Sequence, residues 1–325
     1  MLYWLVQPLS DTFIGFNVFR YLTFRTGLSI ATAFFLSLVI GPWLIDRLRA
    51  LQVRQAIRRE GPEHHQVKEG TPTMGGILIV GSFVFSTLLW ADLSNPYIVT
   101  VLLVTLGFAT IGVLDDWLKV RRQQNLGLTT RQKLLLQVFV GVAGGLMARA
   151  AALPASHAGS LAVPFFKDVL IPLGIFYVPF VVLVLLGSSN AVNLTDGLDG
   201  LAVGAIAIAA TTYTVFVYVA GHVRIAEYLR IVPVSESGEV AIFTGAIAGA
   251  AIGFLWFNCH PAQIFMGDVG SLALGGSIGI VAVVAKQELL LVIVGGLFVL
   301  EALSVLILSL IHISEPTRLV HSSRM

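Results

Sequence analysis

Charge is scarce in this 325-residue chain. Only 12% of its residues are Asp, Glu, Lys or Arg while 56% are hydrophobic, against roughly 25% charged in a soluble domain. That shortage excludes an ordinary soluble globular fold. Cysteine is almost missing too: Cys259 is the single one, so an intrachain disulfide and a Cys-rich metal site are excluded, and this thiol is expected to pack near a helix end. The first residues lack a basic n-region and a small-residue cleavage site. Residues 1–22, with Tyr3, Trp4, Phe13, Phe16, Phe19 and Tyr21, therefore read as an interfacial segment and not a signal peptide. No repeat of fixed period occurs. The apolar runs do not alternate, which argues against a β-barrel.

What the chain does have is long apolar runs, near 24–46, 74–91, 97–114, 133–150, 168–187, 201–220, 240–257, 270–285 and 289–312. Each has about the 17–25 residues that a bilayer core requires. The expected fold is all-α, a polytopic transmembrane helix bundle of about nine spans, with residues 1–308 as one membrane domain. Residues 309–325 turn polar and unpatterned and read as a disordered or read-through tail. Basic residues crowd the loops after the first span (Arg47, Arg49, Arg54, Arg58, Arg59, Lys68) and the third (Lys119, Arg121, Arg122, Arg131, Lys133). The positive-inside rule places these loops in the cytoplasm. Gly245, Gly249 and Gly253, like Gly275 and Gly279, lie four apart, a spacing that lets helices approach closely.

Chemistry-bearing stretches recur on that face. Asp115-Asp116 ends the third span beside Lys119, where hydrocarbon gives way to water. Adjacent carboxylates repel unless a cation lies near, so the pair suits a divalent metal or a proton-transfer role, or else a solvated loop start. Lys68 precedes the turn-rich Gly70–Gly76. Asn190, Asn193, Thr195, Asp196 and Asp199 crowd one loop with Gly197 and Gly200. That density of oxygens and amides suits a ribose, a base edge or a hydrated metal; a capped turn, with Asp196 or Asp199 as N-cap, is the simpler alternative. Asp268 stands between Gly267 and Gly270, three residues after Phe265. Carboxylates at the ends of several spans can converge in one cleft, with Lys68, Lys119, Arg122 and Lys133 as diphosphate cations. Metal-assisted phosphoryl transfer uses both sets. Glu301, inside the ninth span, is costly there and is expected to face the bundle or a cavity. His64 and His65 read as solvated.

In this order, GTPTMGG at 70–76, the Asp pair, NAVNLTDGLDGLA at 190–202 and FMGDVGSLALGG at 265–276 resemble the bacterial phospho-N-acetylmuramoyl-pentapeptide-transferase family. That family lies within the polyprenyl-phosphate N-acetylhexosamine-1-phosphate transferases. The resemblance runs from residue 1 to about Leu308. It implies transfer of phospho-MurNAc-pentapeptide from UDP-MurNAc-pentapeptide to undecaprenyl phosphate, giving lipid I and UMP with Mg²⁺, at the cytoplasmic face of the bacterial inner membrane. It implies Asp115 and Asp116 as the essential pair, with Asp115 a base for the lipid phosphate. Asp268 is implied as Mg²⁺ ligand or, in a two-step variant, nucleophile. Asn190, Asn193, Asp196, Asp199 and Phe265 are implied for the nucleoside, and Lys68 and Lys119 for substrate phosphates. Gln123 stands where relatives often have a further lysine. A homodimer is also implied, and nucleic acid is not an expected partner. After Leu308 the family's three-histidine motif and tenth helix do not follow; His312 and His321 do not match it. The expectation is therefore little or no transferase activity for the polypeptide as written.

Two other functions fit parts of the sequence. A related transferase would take UDP-GlcNAc, which a donor comparison distinguishes. A transporter would place ionisable groups near the bilayer midplane on broken helices, where only Glu301 fits.

Overall fold

The computed structural model describes residues 2–6, 13–51, 71–122, 127–152, 157–166 and 169–314. Lys68, His64, His65 and Gln123 lie outside them. Among the described residues nine long helices run back and forth: α1 Leu22–Ala50, α2 Gly76–Trp90, α3 Pro96–Arg122, α4 Thr130–Ala151, α5 Tyr177–Thr195, α6 Leu201–Gly221, α7 Val240–Asn258, α8 Gly267–Val284 and α9 Gly296–Ser314. Seven helical segments among the described residues are long and apolar enough to cross a membrane, and α2 and α9 are shorter apolar helices. The chain is a multi-pass membrane protein with an almost wholly helical fold. Backbone polar groups have no water to bond in hydrocarbon, so helices that satisfy their own are the solution.

The central helices are α7 and α8, with 83% and 89% of their most apolar windows buried. Both are rich in small residues, and the reason is distance. A Cβ on Gly249 would sit 2.2 Å from the Ile30 carbonyl oxygen, and one on Gly275 would sit 2.6 Å from that of Ser188. The glycine spacing expected to pack helices does so. Outward faces carry exposed Val39, Trp43, Phe139, Leu183, Ile208 and Trp256, an apolar surface suited to lipid rather than water.

Three boundaries differ from expectation, each for a local reason. The third span does not stop at Leu114; α3 continues through Arg122. Asp115 and Asp116 are thus helical and buried, 3% and 4% exposed, where a solvent boundary was expected. The fifth span begins at Tyr177 because two short strands precede it, β1 Ser160–Ala162 pairing with β2 Leu170–Pro172 in antiparallel register Leu161↔Ile171. Asn190 and Asn193, expected in a loop, therefore ride on α5. The ninth span is split at Gly295 between Leu291–Val294 and α9, and α9 runs six residues past Leu308. Cys259 ends α7 and is exposed, not packed.

At the far end of the bundle, away from Asp115, Arg25 and Glu239 form a buried bidentate pair, Nη2 to Oε2 being 2.9 Å. Glu239 also accepts from the Asp92 N–H at 2.7 Å, and Arg25 donates to Trp90 O at 3.2 Å. Nearby, Lys286 Nζ donates to the Ser160 carbonyl (3.2 Å) and the Tyr177 hydroxyl (2.9 Å). The Glu288 carboxyl is buried without a hydrogen-bond partner among the described residues. It edges a largely apolar cavity of about 310 Å³ between α5, α8 and α9, in which Ser188 is the other polar side chain.

Candidate active site

Close helix approach builds the site. Gly112, one turn before Asp115 on α3, lies against the start of α8, where a Cβ would come 2.3 Å from Asp268 O. Residues 72–76 hold that start in place: Gly75 and Gly76 N–H donate to Phe265 O (2.8 Å) and Met266 O (2.7 Å), and Phe265 N–H donates to Pro72 O (2.9 Å). Gly76 meets Gly270 so tightly that a Cβ would fall 2.1 Å from its nitrogen. Gly267 has φ +73 and would direct a Cβ to 2.7 Å from Asp116 Oδ2, so conformation and space both require glycine there.

The result is a cluster of Asp115, Asp116 and Asp268, one carboxylate oxygen from each lying within 4.8 Å of the others. Lys119 Nζ sits among them, 2.6 Å from Asp115 Oδ2, 3.5 Å from Asp116 Oδ1 and 3.0 Å from Asp268 Oδ2. Lys133 Nζ reaches Asp268 Oδ2 from α4 at 2.8 Å. Backbone groups aim the carboxylates: Leu128 N–H donates to Asp115 Oδ1 at 2.8 Å, and Val269 N–H to Asp116 Oδ2 at 3.1 Å. Three carboxylates against two ammonium groups leave negative charge over. Hard oxygen donors with a cation already among them fit a divalent ion of the Mg²⁺ type, which takes one or two carboxylates plus substrate phosphates.

The polar loop after α5 sits against this cluster. Asp196 caps α5, and desolvation, reinforced by the charge of Asp268, pushes its carboxyl well above the usual range, against the pull of the Gly267 N–H. Asn193 Oδ1 accepts from Ser271 Oγ at 2.7 Å. Asp199 Oδ2 accepts from the Ala262 N–H (3.3 Å) and lies 3.1 Å from His260 Nδ1. Neither aspartate is the N-cap of α6, a place taken by Gly200 in the left-handed region. Asn190 points elsewhere, its amide joined to Gln137 of α4 at 2.9 Å. Phe265 is half-buried on the segment before Asp268. Arg122 stays outside, near the Gly127 carbonyl at 3.4 Å.

Two residues had gone unnoticed. Asn258 is buried at the end of α7, accepting from Gly200 N–H (3.0 Å) and donating to Ile264 O (2.9 Å), and so ties the two polar loops together. Gln137 is a lone polar residue among the buried positions of α4. An isolated amide in an apolar span is a signal that could have found both. Glu301 is half-buried on α9 and brings nothing to this cluster.

Comparison with known proteins agrees with the geometry. The family model for glycosyl transferase family 4 matches residues 98–286, and signature 1 of the phospho-N-acetylmuramoyl-pentapeptide-transferases matches residues 68–80. The phospho-N-acetylmuramoyl-pentapeptide-transferase of Pelobacter propionicus is 53% identical over 306 residues, covering 94% of this chain and 85% of the relative. That of Nitratidesulfovibrio vulgaris is 55% identical over 307 residues, with the same coverage. That of Koribacter versatilis is 52% identical over 328 residues, covering 94% of this chain and 86% of the relative. With identity above half across nearly its whole length, and the acidic cluster inside the matched region, this chain belongs to the phospho-N-acetylmuramoyl-pentapeptide-transferase family.

Proposed function

We propose that this enzyme transfers phospho-MurNAc-pentapeptide from UDP-MurNAc-pentapeptide to undecaprenyl phosphate, yielding lipid I and UMP in peptidoglycan synthesis. The observation that carries the reading is the buried meeting of Asp115, Asp116 and Asp268 with Lys119 and Lys133 at one end of a membrane bundle. Asp268 is the proposed ligand of Mg²⁺, with the Asp115–Asp116 pair beside it. When bound, Mg²⁺ supplies positive charge against the diphosphate and the departing UMP.

The chain's own groups do the rest. Asp115, held by the Leu128 N–H, takes the proton of the lipid phosphate. The freed phosphate oxygen bonds to the phosphorus that carries the sugar, the bond from that phosphorus to the UMP oxygen breaks, and UMP leaves with the electron pair. Lys119 and Lys133 balance the diphosphate, and Lys68 is a further cation for it. Asn193, Asp196, Asp199 and Phe265 receive the uridine. In a two-step alternative Asp268 attacks first. Arg47, Arg49, Arg121, Arg122 and Arg131 lie at this end of the helices, which supports a cytoplasmic site in the bacterial inner membrane. A homodimer completes the proposal, to be checked by light scattering in detergent.

The experiment supplies purified protein with labelled UDP-MurNAc-pentapeptide, undecaprenyl phosphate and Mg²⁺, and follows lipid I and UMP. Retention of the labelled donor is measured in parallel, so that binding is read without turnover. EDTA-sensitive lipid I formation supports the reading and overturns the expectation of an inactive polypeptide; Mg²⁺-dependent donor retention that UMP displaces, without turnover, supports the reading and agrees with that expectation. Preference for UDP-GlcNAc, or neither binding nor turnover, overturns it.

A further inference from the structure

α4 brings Lys133 to the site, yet most of this helix faces outward. Its buried residues are Gln137, Gly141, Gly144, Gly145, Ala148 and Ala151, and Lys133 begins the same stripe one helical turn before Gln137. The glycines let α4 lie close: a Cβ on Gly145 would come 3.2 Å from Val178 Cγ1 and one on Gly141 3.3 Å from Val182 Cγ2. A surface of glycine and alanine is smooth, however, and tolerates rotation of the helix about its axis. A shift of one residue turns a helix by about 100°, enough to carry Lys133 out of reach of Asp268.

Gln137 supplies what the glycines lack. It is 1% exposed, and its amide faces that of Asn190 on α5. Asn190 Nδ2 donates to Gln137 Oε1 at 2.9 Å and Gln137 Nε2 to Asn190 Oδ1 at 3.4 Å, while Asn190 Nδ2 also donates to Leu186 O at 2.9 Å. Two amides pair reciprocally at one rotation only; at any other, donors and acceptors are left unmatched between apolar helices, where no water substitutes. We propose that Gln137 is a positioning residue: its amide pair with Asn190 fixes the rotation of α4 and so holds Lys133 on Asp268. Asn190 thereby serves α4 rather than the nucleoside.

The inference rests on the transferase reading for its activity arm alone. Lysine labelling with an N-hydroxysuccinimide ester, quantified by mass spectrometry, reports on Lys133 directly. In the unsubstituted protein Lys133 is protected, and D268N, which removes one charge from its partner, exposes it. Q137L is expected to raise Lys133 labelling several-fold without changing that of Lys286. The exchange Q137N/N190Q, which conserves the total length of the pair, restores protection. In the activity arm, Q137L lowers kcat about tenfold, the scale on which residues supporting a metal site act, and has no further effect in a K133M background. Unchanged Lys133 labelling in folded Q137L, or multiplicative losses in Q137L/K133M, overturns the proposal. Should Q137L fail to fold, Q137N alone is read the same way, with protection expected to fall and to return on adding N190Q. Absence of turnover in the unsubstituted protein bears on the transferase reading and leaves the labelling result standing.

Discussion

At the far end of the bundle Arg25 meets Glu239 one to one, whereas at the site end three carboxylates share two lysines. Both groups are removed from water, but the far pair closes in charge: two guanidinium nitrogens meet two carboxylate oxygens, and Trp90 O and Asp92 N–H add further bonds, with Arg25 Nε the one guanidinium nitrogen buried without a hydrogen-bond partner among the described residues. The site cluster does not close. Lys119 is divided among Asp115, Asp116 and Asp268, and negative charge remains unbalanced. A closed pair ties α1 to the chain leading into α7. An open cluster has capacity left for a cation and a polyanion, which is what a phosphoryl-transfer site needs. Burial alone therefore does not mark function; carboxylates gathered from separate helices in excess of their cations do.

Breaking each end should give opposite results. The largest effect is expected from D268N, which lowers lipid I formation by about 10³-fold with only a modest fall in the thermal unfolding midpoint in detergent, since Lys119 and Lys133 lose the carboxylate they share but Lys119 keeps Asp115 and Asp116. A midpoint several degrees lower would make the cluster structural. R25M is expected to do the reverse. It leaves Glu239 buried without its cation at a cost of about 3–5 kcal/mol, measured as loss of unfolding stability, with turnover per folded molecule retained. R25M/E239L should recover most of that loss, because apolar replacements of a buried pair are often neutral.

A smaller effect sharpens the comparison by touching no charge. G112A places a methyl against Asp268 O, where its carbon would lie 2.3 Å away. Overpacking of this kind costs about 1–3 kcal/mol, and lipid I formation should fall more than stability because α3 and α8 are forced apart at the site. Loss of activity without any change in Mg²⁺ dependence would count against that account. The smallest effect concerns Glu288, which burial pushes up to about 7 from 4.5. The neutral carboxyl is the form that the fold favours. Its stability contribution is complete below about pH 4.5 and declines as pH rises through about 7. Burial shifts Lys286 downward instead, against the charge of Glu288, so its slope has the other sign. Unfolding midpoints between pH 4 and 8 should therefore slope downward in the unsubstituted protein and flatten in E288Q.

Much of this could be read along the chain. Apolar run length gave nine helices, because a bilayer sets the length. The glycines of α7 and α8 announced their packing, because small residues four apart have little other use. What could not be read was local competition. Nothing in Leu114-Asp115-Asp116 says that the helix runs on two more turns, since the carboxylates are tolerated there only because Lys119, Leu128 N–H and Val269 N–H meet them. Nor does Asn190, within a motif dense in polar groups, reveal that its partner is Gln137.

The order of residues by itself determined a membrane-spanning helical bundle, its family, and the acidic and basic residues from which a phosphoryl-transfer site can be made, because hydrophobic length and motif spelling are properties of short stretches. Tertiary structure alone decided which of those residues share one site. Asp115 and Asp268 come together because Gly112 lets α3 touch the start of α8, and Lys133 joins them because α4 sits at one rotation. Both depend on contacts between helices distant in the chain, and no local stretch encodes such a distance.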